Sequence, residues 1–230
     1  MKKAVALLTV AFVAMASMAG AASIKNSKHD LSSGSASTFK SAGATNQICI
    51  FCHTPHNPTQ PVPLWNRTNP TSTGWSMYNS PTISSTAKAK LALGNFDADS
   101  ISLFCMSCHD GVTAMGAFTN KAGGAPEALG AIVATSNANI GGGGGGKTLS
   151  NDHPVGFDYN TAATEDATGL NTKAAANATL GGSAFFGLGG NNLECASCHK
   201  VHDPGAAGST APFLRISNSG SGLCLACHNK

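Results

Sequence analysis

Charge is scarce in this 230-residue chain: Asp, Glu, Lys and Arg together make up 11%. Aromatic residues contribute only 6%. Those two shortages argue against a large close-packed protein core, a coiled coil or long amphipathic helices. A formal charge of +3 with no Lys/Arg cluster excludes an electrostatic footprint for nucleic acid. Beyond residue 18 no apolar run is long enough to span a bilayer. Abundance lies elsewhere, in 27 Gly and in 8 Cys matched by 8 His.

The N-terminus reads as an address. Met1-Lys2-Lys3 is basic, Ala4 to Met18 is apolar, and Ala19-Gly20-Ala21-Ala22-Ser23 offers the small residues of a cleavage site. Residues 1–22 are therefore expected to be a secretory signal cut near Ala21 to Ser23; the run is short for a membrane anchor. No Cys follows it at once, which excludes a lipoprotein modification. The working chain is expected to be exported.

The eight cysteines fall into four identical frames: Cys49-Ile-Phe-Cys52-His53, Cys105-Met-Ser-Cys108-His109, Cys195-Ala-Ser-Cys198-His199 and Cys224-Leu-Ala-Cys227-His228. C-x-x-C-H is the c-type haem attachment signature. Two thiols add to the two vinyl groups on one porphyrin edge, and the adjoining imidazole then lies under the ring and binds iron. Two rival readings are four CxxC pairs holding two zinc ions and a set of disulfides in an oxidising compartment. Both leave the histidines unexplained, and with His at 8 of 230 residues four of four by chance is on the order of one in a million. The expected cofactors are four covalently attached haem c groups, each with its iron.

Removing the proximal set leaves His29, His56, His153 and His202, one for each iron. Eight histidines thus fill eight axial positions, which predicts four low-potential centres; Met77, Met106 and Met115 keep a His/Met reading open. His53 and His56 are three residues apart, as are His199 and His202. On a helical turn such side chains share one face and cannot clamp opposite sides of one iron. His56 is therefore expected to serve a different haem from His53, and His202 a different one from His199.

The chain is an internal duplication. His29, CIFCHTPHNP, PLWNR (Pro63 to Arg67) and LFCMSCH are answered by His153, CASCHKVHDP, PFLR (Pro212 to Arg215) and LCLACH. Two dihaem modules are expected, 23–120 and 150–230, joined by a Gly/Ala-rich linker, 121–149. The simplest wiring gives the second haem of a module the extra His of its CxxCHxxH unit. The upstream His then serves the first haem or one elsewhere, and spacing does not choose between them. Arg67 and Arg215, placed alike, are candidates to pair with haem propionates. Gly141 to Thr148 matches a phosphate-loop pattern, but the following Thr-Leu-Ser-Asn-Asp-His-Pro is a poor helix start, so a flexible loop is the better reading. The predicted fold class is a multihaem cytochrome c: mostly coil, short helices around the CxxCH motifs and near Ser84 to Leu93, and a core formed by the haems. A compact chain of this length has a radius of gyration of about 17 Å, which forces four macrocycles close together.

CIFCHTPHNP, PLWNR and NDHPVGFDY (Asn151 to Tyr159) resemble motifs of the doubled-CxxCH multihaem cytochromes. With KHDLS at Lys28 to Ser32 and four haems, the chain is similar more narrowly to the OmcE-type extracellular tetrahaem c-type cytochromes of metal-reducing bacteria. The resemblance covers nearly the whole exported chain; the Gly141–Gly146 run has no counterpart in it. It implies polymerisation into extracellular filaments whose stacked haems carry electrons, and an axial His given to a neighbouring subunit. Carried over, that donor is His29, on an arm just after the cleavage site. The partners implied are other copies of the chain, other redox cytochromes and extracellular electron acceptors. The expected role is an electron carrier without a substrate site. The rivals are a monomeric periplasmic shuttle, a multihaem reductase, which needs an open or Lys-ligated iron, and a haem-storage scaffold.

Overall fold

A computed structural model describes residues 24–41, 45–60, 63–121, 136–142, 146–205 and 213–229. The expected signal segment and cleavage site, most of the expected linker, and Pro212 lie outside these residues.

Secondary structure is short and punctuated. The helices are α1 (Ser85–Ala92), α2 (Ser102–His109), α3 (Tyr159–Glu165), α4 (Lys173–Thr179), α5 (Cys195–Cys198) and α6 (Gly222–Leu225). Two-residue strands β1 (Ser76–Met77) and β2 (Thr148–Leu149) pair in parallel, and β3 (Phe157–Asp158) pairs antiparallel with β4 (Asn192–Leu193). Every CxxCH frame carries a helical turn: a 3-10 turn at Cys49–Phe51, then α2, α5 and α6.

Local chemistry sets the helix limits. The Ser84 hydroxyl accepts the Ala87 N–H at 3.4 Å, capping α1. Ala87 and Leu91, four residues apart, form its buried stripe. The helix stops at Gly94, whose φ of +60° suits glycine; a Cβ there would lie 2.5 Å from the Trp75 carbonyl oxygen. Asp158 and Thr172 cap α3 and α4 by accepting from Thr161 and Ala175 at 2.8 and 3.3 Å.

The two halves do not form separate cores. Trp75, Met77, Leu91, Phe96, Leu103 and Met106 from the first half pack in one cluster with Phe157, Tyr159, Leu180, Phe185 and Leu193 from the second. Each such fully buried Leu or Phe contributes roughly 1.5–3 kcal/mol. The polypeptide thus has an apolar core of its own, which the scarcity of aromatics did not suggest. A smaller cluster joins Leu31, Phe51, Met115 and Phe118, with Cys52 and Cys108 at its margin. Buried Glu194, at the start of α5, reinforces the join: its Oε2 accepts from Ser100 at 2.7 Å and from Ser102, and Ser102 Oγ also accepts the Cys195 N–H at 3.0 Å.

The end of the linker belongs to this body. Thr148 enters strand β2 rather than a helix. Lys147 reaches back to the Thr71 hydroxyl and, at 2.6 Å, to the Thr73 carbonyl, with its ammonium 5.5 Å from the Trp75 ring centre. The phosphate-loop pattern therefore lacks the strand–loop–helix context that its chemistry requires. Among the described residues no helix is long and apolar enough to cross a membrane.

Candidate metal centre

The duplicated segments build the same clamp behind two of the frames. In the first half, Leu64 takes a positive φ of 63°, the Thr54 N–H donates to its carbonyl at 2.9 Å, and the Asn66 N–H donates to the Cys52 carbonyl at 2.9 Å. In the second, Phe213 takes a φ of 66°, the Lys200 N–H donates to its carbonyl at 2.7 Å, and the Arg215 N–H donates to the Cys198 carbonyl at 2.8 Å. Antiparallel bridges His53↔Trp65 and His199↔Leu214 complete the match.

This register corrects the expectation that Arg67 and Arg215 are placed alike. PLWNR is one residue longer than PFLR, and the hydrogen bonds align Arg215 with Asn66. The two side chains even do the same work. Asn66 Nδ2 donates to the Ile50 carbonyl and Arg215 Nε to the Ala196 carbonyl, each at 2.7 Å, and each acceptor is the first residue between the cysteines of its frame. Arg67 is buried and its donors meet protein acceptors, so it is not the propionate ligand expected. Arg215 is half-buried beside His199 and His202 in a depression of about 460 Å³, and keeps that candidacy.

The clamps also orient imidazoles. His53 Nδ1 lies 2.7 Å from the Pro63 carbonyl oxygen, His109 Nδ1 2.6 Å from that of Ala138, and His153 Nδ1 3.0 Å from that of Pro154. His29 and His199 hydrogen-bond the backbone of Val201 and Phe213. In the tautomer with Nδ1 protonated, His53, His109 and His153 each donate that N–H to a carbonyl and turn Nε2 outward, as metal-ligating histidines do.

Those rings then meet in pairs. His53 faces His202 with centroids 6.0 Å apart, His29 faces His109 at 6.0 Å, and His153 faces His228 at 6.2 Å. Two imidazole nitrogens about 2.0 Å from one metal, each about 1.1 Å from its own ring centre, set the centroids about 6.2 Å apart. Ordinary edge-to-face contacts also fall in this range; what marks these three is which residues they join. Each pair joins one CxxCH histidine to one spare histidine. The residues therefore fit a six-coordinate haem iron at three of the four frames. Among the described residues, His199 and His56 join no such pair.

The wiring differs from the simplest one in two respects. The ring of His202 faces the first frame of the other half rather than the second frame of its own, and each upstream histidine, His29 or His153, faces the closing frame of its own half. His199 and His202 do not share the helical face expected of them: α5 ends at Cys198 and His199 is extended, φ −114° and ψ 141°.

His29 is also not on a free arm. Asp30 accepts the Asn26 and Ser32 N–H groups at 2.7 and 3.1 Å, closing a turn, and Leu31 is buried in the smaller cluster. The His29 ring stacks on Phe213 at 4.3 Å. Burial, then the neighbouring His109 imidazole, hold its pKa down to about 4, leaving it neutral and able to coordinate. Within its own chain the ring therefore lies opposite His109.

Burial acts on four of the thiols. Burial pushes the Cys52 thiol up to about 12 and the Cys198 thiol up to about 11, and raises Cys108 and Cys227. The Cys105 thiol is raised chiefly by its hydrogen bond to Cys195, which is itself lowered by that bond. All eight thiols are free of disulfides. Met77 and Met106 lie in the main core and Met115 in the smaller cluster.

Asn66 and Glu194 are the residues that motif reading passed over. The only sequence signal for Asn66 is its position in the repeat; Glu194 has none beyond preceding a frame. No protein-family model matches the chain, and no curated protein matches it significantly. The resemblance therefore stands on the motifs themselves.

Proposed function

We propose that the chain is an electron-transfer c-type cytochrome carrying four haems, one at each CxxCH frame, with paired histidines as axial ligands. The observation that carries this reading is the sorting of rings into three pairs, each one frame histidine with one spare, at 6.0–6.2 Å. A haem iron bound in such a pair exchanges one electron between its ferric and ferrous forms without opening a coordination position. The chain's own contribution is to fix one imidazole of each pair through a carbonyl hydrogen bond, set Cys52, Cys108 and Cys227 against apolar clusters, and lock the two halves through one core. His29 senses His109, His199 and His202 together, which supports close spacing of three of the centres.

The same reading extends to assembly. Among the described residues His199 joins no facing imidazole, and His56 is exposed on the loop after the first frame. His56 of one copy is the imidazole for the His199 centre of the next, so copies join end to end into an extracellular filament that carries electrons to external acceptors. An exported monomeric shuttle in the periplasm is the second reading, favoured if His56 and His199 meet within one chain. Electron microscopy of the secreted protein separates them: filaments support the first reading, and discrete monomers with four low-spin irons the second.

A further inference from the structure

The repeat is not symmetric in charge. Because Asn66 aligns with Arg215, Arg67 aligns with Ile216, which packs against the main core. Arg67 is 1% exposed. Its guanidinium donates to Ser107 Oγ at 3.2 Å and to the carbonyls of Ser107, Ala114 and Met115 at 2.9, 3.0 and 2.5 Å. All four acceptors are neutral, so among the described residues no carboxylate is hydrogen-bonded to this permanent cation; the buried carboxyl of Asp110, next to His109, is the opposing group near Cys108.

Its position is as specific as its burial. Ser107 lies between Cys105 and Cys108, and the guanidinium also reaches the Cys108 sulfur. Asn66, the residue before it, bonds the Cys52 carbonyl. The charge therefore sits between the second attachment sulfurs of the first two frames. Arg215, the cation near the third frame, is half-exposed beside an open depression, where solvent screens it.

We propose that Arg67 is a built-in electrostatic bias that raises the reduction potentials of the haems at Cys49–Cys52 and Cys105–Cys108 above those at Cys195–Cys198 and Cys224–Cys227. The inference rests on the tetrahaem reading. Reduction adds one electron to a ferric iron and lowers the local charge by one, and a nearby buried cation favours that change because little solvent screens it. No proton moves, since arginine stays charged at all working pH values. An electron inside one subunit then settles preferentially on the first half, which gives each subunit an internal polarity.

The test is spectroelectrochemical titration of the secreted haem-loaded protein, comparing wild type with Arg67→Gln and Arg67→Lys. The Gln variant is expected to lower the reduction equilibrium of the two upper centres about tenfold, 59 mV for a one-electron couple. The Lys variant, which keeps charge but not the fork of hydrogen bonds, is expected to stay near wild type. Equal shifts in both variants would assign Arg67 a structural role and overturn the proposal, as would no shift in the Gln variant or a shift confined to the lower pair. Should the Gln variant fail to load haem, wild type alone decides. His53 and His202 are inclined by 36°, against 67° and 71° for the other pairs. Their iron then gives the rhombic low-spin resonance, which must bleach early in a reductive titration; late bleaching contradicts the bias. Protein without covalent haem would instead remove the reading beneath it.

Discussion

Replacing His202 with alanine tests the wiring across the two halves. His202 and His53 face each other at 6.0 Å with ring planes inclined by 36°. His53 is held by the Pro63 carbonyl at 2.7 Å whether or not its partner is present. His202 is exposed, so apart from the metal bond its loss changes folding stability by no more than about 0.5 kcal/mol. The effect on the metal is large: the iron at the first frame loses one of its two axial nitrogens, and one centre in four becomes high spin. Angle identifies which one. Imidazoles near parallel give a rhombic ferric resonance and those near perpendicular an axial one, so the variant must lose rhombic intensity and keep the axial signals from the 67° and 71° pairs. Electron paramagnetic resonance of the oxidised protein reads both. If the rhombic signal survives and an axial one disappears, His202 serves another centre, and the crossed wiring is wrong.

Further outcomes follow from the same geometry. His29→Ala is expected to open the His109 centre while leaving assembly intact, and His56→Ala to abolish filaments while haem attachment persists; negative-stain microscopy of both variants with the opposite pattern would restore His29 as the donor in trans. Asn66→Leu leaves the Ile50 and Asn120 carbonyls and the Asn120 N–H without their bonds of 2.7, 2.9 and 2.8 Å. It should cost about 2–4 kcal/mol in denaturant unfolding, and a loss below 1 kcal/mol would contradict the clamp. Burial raises the Glu194 carboxyl, so the folded chain holds that proton more tightly than the unfolded chain. The stability this group contributes is complete below pH 4.5, its ordinary value, and declines as pH climbs toward the raised folded value. The melting-temperature advantage of Glu194→Gln over wild type should therefore widen from pH 4.5 to 7; a constant gap would refute the shift.

Much of the candidate site could be read from residue spacing alone. Four CxxCH frames need no fold to be recognised, and the Ser84–Leu93 helix was visible in its cap and its alanines and lysines. The pairing was not, because the distance from His199 to His202 allows several wirings until the backbone turns extended at His199. The equivalence of Arg67 and Arg215 failed on a single extra residue in PLWNR, an offset that only the hydrogen bonds to Cys52 and Cys198 reveal. The common core was hidden for a different reason. Its members are small clusters of Trp, Phe and Leu between breakers, too short for periodicity to register, and they meet only because β3 and α3 fold back onto α1.

Denaturing mass spectrometry of the chain purified from its native secretory host tests the central claim most directly. Four covalent haems on a chain processed near residue 22, with no residual free thiol, is the result expected. A mass matching the bare polypeptide, or one that reacts with thiol reagents at the CxxCH cysteines, would contradict the account from its first step.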